Sequence, residues 1–130
     1  MTIDEIYLSE AVKEARAGAR AKEEPVGAVV VVAGRVAGKA HQQTRALRDP
    51  TAHAAMIALT QAAEASENGR LKGAVLYLTE APCRMCLAAA QHAGIQRIAY
   101  GVQHRVPAGA RIPVTAGLLE KECKALRDEK

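Results

Sequence analysis

The sequence predicts an α/β protein, a three-layer sandwich in which helices cover both faces of a sheet. Two observations carry this. Apolar, β-branched runs of strand length at 26–32, 73–79 and 97–101 lack polar alternation, as strands covered on both faces do. Between them lie stretches with helical periodicity, so strand and helix alternate along the chain. The length of 130 residues suits one domain, expected to span 1–130. There is no Phe or Trp, and Tyr7, Tyr77 and Tyr100 are the only aromatic residues. The core must therefore be built from Ala, Val, Leu and Ile, and the scarcity of aromatic residues argues against recognition by stacking several bases on aromatic platforms.

The elements follow in order. Thr2 with Glu5 three positions later makes a capping box, and Leu8, Val12, Ala15 and Ala19 recur at helical spacing. The charged stretch 22–25, ending in Pro25, stops this helix. Residues 26–32 form a strand, Ala33-Gly34-Arg35 a turn, and 36–40 a paired strand. Asp49-Pro50-Thr51 announces a second helix over 52–65, with Met56, Leu59 and Ala63 on one face and Asn68-Gly69 closing it. A strand at 73–79 leads through Pro82 into a helix over 83–92, ended by Gly94. The strand at 97–101 precedes an irregular connection at 102–111, a short strand at 112–114 and a closing helix at 118–127. Cys123 is expected to face the core from that last helix.

Charge and cysteine content narrow the class. The formal net charge is +4, with positive residues concentrated at 45–48, 97–111 and 121–130. So diffuse an excess reads as a solvated surface more readily than as a nucleic-acid footprint. No apolar run reaches 18 residues and the first segment is charged, so neither a membrane span nor a signal peptide is predicted, and a cytoplasmic location is expected. Three cysteines in such a chain do not suggest a disulfide framework.

Two of those cysteines carry chemistry. Cys83 and Cys86, three apart at a helix start, share a face and can grip one ion. The helix N-terminus favours negative charge and is expected to lower their pKa toward the thiolates a metal requires. His53, at the start of the preceding helix, supplies a third ligand through Nδ1 or Nε2. Three protein ligands leave a fourth tetrahedral position open, the pattern of catalytic rather than structural zinc. Read singly, C-x-x-C also fits a redox pair, and a lone histidine is more often packed or solvated, as is expected for His41, His92 and His104. The combination reverses that balance.

Thr51-Ala52-His53-Ala54-Ala55-Met56 with Pro82-Cys83-Arg84-Met85-Cys86 resembles the signature of the zinc-dependent cytidine-deaminase-like superfamily. Residues 25–31, 49–53 and 118–123 look like the branch that holds bacterial tRNA adenosine deaminases, guanine deaminases and cytosine deaminases. The resemblance implies a five-stranded mixed sheet flanked by helices, one zinc per chain and a homodimer. It also implies a pocket lined by Gln42, Ala54, Glu80, Ala81 and Pro82, with Gln42 near the place of an asparagine that contacts the base.

One position departs from the family pattern. Where the family signature has a glutamate that carries protons between water, ring nitrogen and leaving amine, this chain has Ala55. The chain is therefore expected to bind metal and ligand but to turn over negligibly. Both thiols, His53 and Pro82 are intact, which favours an engineered replacement over a natural pseudoenzyme or non-catalytic partner subunit. For substrate, Arg84 and Ala81 replace a proline and a glutamate of the consensus, the 102–111 connection is short, and the aromatic C-terminal extension of the tRNA enzymes is missing. These departures favour a small amino-heterocycle, with tRNA adenosine as the alternative.

Overall fold

The computed structural model describes residues 1–102 and 106–128. Helix α1 (Ile3–Arg20) starts as the capping box requires: the Glu5 amide donates to Thr2 Oγ1 at 3.1 Å, and the Thr2 amide to Glu5 Oε1 at 2.9 Å. Its buried face is Leu8, Ala11, Val12, Ala15 and Gly18. Gly18 thus replaces the expected Ala19, because the helix passes over His41, whose Cβ would lie 2.9 Å from a Cβ at Gly18.

Strands β1 (Gly27–Val32) and β2 (Arg35–His41) form an antiparallel hairpin. At its turn Ala33 and Gly34 both have positive φ, 51° and 76°, the mirror-image geometry that matches strand twist. Helix α2 (Ala54–Glu64) begins two residues later than expected. The Asp49 side chain is spent on a local turn, accepting from the Thr51 amide at 2.9 Å, and His53 stands in extended conformation as the N-cap. Its buried residues are Ala54, Ala55, Ala58, Leu59 and Ala62, so Met56 and Ala63 lie off the face predicted for them. The helix ends at Glu64 with Ala65 as its C-cap, ahead of Asn68-Gly69.

Strand β3 (Val75–Glu80), helix α3 (Arg84–Ala93), strand β4 (Arg97–Val102), strand β5 (Val114–Thr115) and helix α4 (Glu120–Asp128) complete the order. Gly94 caps α3 in the left-handed conformation, φ 94°. Residues 103–105, with His104, lie outside the described residues. The sheet is five-stranded and mixed, in the order β2-β1-β3-β4-β5. β1 pairs antiparallel with β2 and β3, while β3, β4 and β5 run parallel.

The three layers follow from alternation along β1. Ala28 and Val30 pack with α2 and α3 in one cluster; Val29 and Val31 pack with α1 and α4 in the other. Cys123, 1% exposed, sits in the second cluster as expected. No helix among the described residues is long and apolar enough to cross a membrane.

One polar junction fastens α1 to the sheet. Asp4 accepts from both terminal nitrogens of Arg97, at 2.8 and 3.0 Å, and from the Tyr77 hydroxyl at 2.7 Å. Arg97 holds the Asp4 carboxyl below its ordinary 3.8, and burial pushes the Tyr77 hydroxyl up to about 12. A depressed carboxyl stabilises the fold above its unfolded pKa and loses that contribution as pH falls through the folded one. Asp4→Asn should therefore cost about 1–2 kcal/mol at pH 7. Urea unfolding across pH should show that difference shrinking as the pH falls below 3.8.

Candidate metal centre

Two helix N-termini meet beyond the C-terminal end of β3, the place where open α/β sheets leave a crevice. His53 is the N-cap of α2 and Cys83 the N-cap of α3; neither uses its side chain to cap its helix. Cys86 follows Cys83 by one turn on the same face. Pro82 and the bond from the Ala81 amide to the Val102 carbonyl, 3.3 Å, turn the chain from β3 into α3.

His53 Nδ1 lies 3.6 Å from Cys83 Sγ and 3.5 Å from Cys86 Sγ. All three ligand atoms lie within 4.8 Å of one another, the one such group among the described residues. Zinc bonds of about 2.3 Å to sulfur and 2.0–2.1 Å to nitrogen at a tetrahedral angle imply an N···S separation of about 3.5–3.6 Å. The residues present therefore fit zinc, with Nδ1 as the histidine ligand atom. Cys86 is buried, His53 half-buried and Cys83 exposed, so the group is open on one side.

The electrostatics are less uniform than expected from the helix ends alone. Neither α2 nor α3 has an acidic residue in its first turn, which leaves both helix N-termini without a compensating carboxylate there. Yet burial, followed by the neighbouring Cys83, pushes the metal-free Cys86 thiol up to about 12. Desolvation outweighs the helix dipole at that sulfur, and a bound cation supplies the charge that reverses the balance.

The ligand group opens onto a cavity of about 160 Å³. Gln42, Ala54, Ala55, Glu80, Ala81 and Pro82 all line it beside His53, Cys83 and Cys86. Val26, Leu78 and Arg127 line it too, and sequence reasoning singled out none of these. Arg127 has no local signal: it arrives from α4, at the other end of the chain, and its Nε and Nη2 donate to Glu80 Oε2 and Oε1 at 2.7 and 2.9 Å. Its Nη1 donates to Glu24, and these two carboxylates raise the Arg127 pKa further.

Gln42 is fixed by the backbone it caps. Its Oε1 accepts from the Ala54 amide at 3.2 Å, supplying the α2 N-terminus with the partner that His53 withholds. That bond engages the oxygen and not the NH₂, whose two hydrogens it leaves as donors. The loop carrying Gln42 is tied down by Glu23, 6% exposed, which accepts the Arg45 and Ala46 amides at 3.1 and 2.7 Å.

Comparison with known proteins gives consistent relatives. The family described as "Cytidine and deoxycytidylate deaminase zinc-binding region" matches residues 1–102. The tRNA-specific adenosine deaminase of Bacillus subtilis is 33% identical over 95% of this chain and 85% of its own length. The tRNA(Ile)-lysidine synthase of Thermus thermophilus is 42% identical over 96% of this chain, which spans only 24% of that protein. Among solved structures, one from a study of A-to-I editing by tRNA:A34 deaminases superposes with a TM-score of 0.86 at 36% identity, covering 93% of this chain and 98% of the other. A guanine deaminase from Bacillus subtilis gives 0.76 at 32% identity, covering 87% and 72%.

Two outcomes test the site. Protein purified without added zinc should carry about one zinc per chain by metal analysis, and Cys86→Ser should lose most of it. Gln42→Leu, which leaves the Ala54 amide without its partner, should lower unfolding free energy by about 1 kcal/mol in urea titration.

Proposed function

Because the chain belongs to the family of cytidine and deoxycytidylate deaminase zinc-binding domains, we propose that its cavity takes the amino-bearing ring of a tRNA adenosine. His53, Cys83 and Cys86 hold zinc in this reading, and zinc when bound supplies an activated water as nucleophile. The observation that carries it is the shared cavity: the ligand group, Gln42 and Ala55 line one space. The sequence alone leaned toward a free amino-heterocycle. Relatives that act on tRNA support the adenosine reading more directly, and the guanine deaminase keeps a free base as the second arm of the test.

Within the cavity, Gln42 offers donors to ring nitrogens, which in adenine are acceptors. Pro82 and Ala81 shape the wall beside the ligands. Ala55, 3% exposed in the first turn of α2, stands where the family's proton-carrying glutamate belongs. A methyl group holds no proton, and removing a positioned acid/base typically costs 10²–10⁴-fold in rate. In this reading the chain binds zinc and substrate and does not complete deamination, and Ala55 is an engineered replacement, supported by the retention of His53, Pro82, Cys83 and Cys86. We place the active assembly as a homodimer, supported by the family resemblance and the small residues Ala88 and Ala89 on α3.

A second reading has its own support. An aligned stretch covering 96% of this chain lies inside a tRNA(Ile)-lysidine synthase and makes up 24% of it. A deaminase-fold unit without its proton carrier that holds tRNA for another activity would look the same.

Ammonia release by the Ala55 chain and by Ala55→Glu, at equal zinc content, separates these readings. With tRNA, Ala55→Glu should gain at least about 10²-fold. A gain confined to guanine or cytosine would move the substrate to a free base. No gain on any substrate, with tight tRNA binding by both proteins, would replace the catalytic reading with the second. Light scattering should give twice the chain mass.

A further inference from the structure

Glu80 is the only carboxylate among the described residues that line the cavity. Both of its oxygens accept from the Arg127 fork, at 2.7 and 2.9 Å, with the Glu80 side chain only 12% exposed. With both oxygens accepting from a guanidinium, the Glu80 carboxylate acts here as a hydrogen-bond acceptor. A phosphate beside it would meet like charge, which Glu24 on the other side of Arg127 reinforces.

The cavity thus carries a donor at Gln42 and an acceptor at Glu80. An occupant must answer with an acceptor toward Gln42 and a donor toward Glu80. Adenine meets the first demand with its ring nitrogens. Its exocyclic amine is the group that must lie at the ligand cluster for deamination, and no further donor remains on the ring. The donors left on an adenosine are the ribose hydroxyls.

We propose that Glu80, oriented by Arg127 in the cavity that Gln42 also lines, is a specificity-determining residue that accepts a hydrogen bond from the ribose 2′-hydroxyl of the bound adenosine. The proposal rests on the adenosine reading of the cavity. It makes the site selective for ribonucleotides, since the 2′-hydroxyl is what distinguishes RNA from DNA at a contact. The C-terminal helix then contributes to selectivity through one side chain, Arg127.

The test uses the zinc-loaded chain and two RNA hairpins that copy an anticodon stem-loop. They differ only in carrying adenosine or 2′-deoxyadenosine at the target position. Titration calorimetry should show the ribose form binding about tenfold tighter, the worth of a hydrogen bond to a charged group. In Glu80→Ala that ratio should fall to about one, whatever happens to overall affinity. Glu80→Gln keeps an acceptor oxygen and a partner for Arg127, which guards against a collapsed α4, and should retain a ratio of a few-fold. Equal binding of the two hairpins by the unaltered chain, or an undiminished ratio in Glu80→Ala, would overturn the inference while leaving the adenosine reading standing. Failure to bind either hairpin, with guanine bound instead, would overturn the adenosine reading and this inference with it.

Discussion

Helix α2 lies so close on β2 that a single methyl at Gly38 would come 2.2 Å from the Ala58 carbonyl oxygen. A matching contact holds α1: a Cβ at Gly27 would lie 1.9 Å from the Ala11 carbonyl oxygen. These approaches are possible because the chain has no Phe or Trp, α2 buries mainly alanine, and α1 turns Ala11, Ala15 and Gly18 toward the sheet. Dense packing of small side chains leaves little freedom to slide, since neighbouring atoms are already in contact. The place of His53, at the first cap of α2, is therefore a consequence of how closely helix and sheet meet.

The metal site inherits that rigidity. His53 and Cys83 are both N-caps that decline to cap, and Cys86 sits one turn on from Cys83. The amide left over at Ala54 is answered by Gln42, which thereby joins the site. One backbone requirement thus couples the loop after β2, the start of α2 and the cavity. A second coupling runs through charge. Arg45 and Arg127 both reach Glu24, and Arg127 reaches Glu80, so the loop, the lead into β1, the end of β3 and α4 form one ionic chain around the mouth. Its outer members are exposed and individually weak; the less exposed Glu80 end holds a cavity wall in place.

Much of the fold was legible in residues that act locally. The capping box of Thr2 and Glu5, the Gly94 stop and the two-sided apolar strands depend on a few neighbours each, so pattern suffices. The start of α2 was misread because Asp49 has two local uses, a helix cap or a turn, and only the position of His53 selects the turn. The buried face of α2 was misplaced for a related reason. Alanines carry no hydropathic emphasis, and the face is chosen by the sheet they touch, with Met56 left at the edge.

By itself the sequence determined the layer architecture, the three ligand types and the alanine two residues after His53, because these are properties of residues and short spacings. The tertiary structure decided the rest. It brought Nδ1 of His53 within 3.6 Å of two thiols that follow it by 30 and 33 positions, and it used the Gln42 oxygen internally, so that donors remain. It also carried Arg127 from the last helix to the cavity wall at Glu80. Contacts between residues far apart in the chain depend on how layers pack, and no local pattern encodes the distance at which two helices meet a sheet.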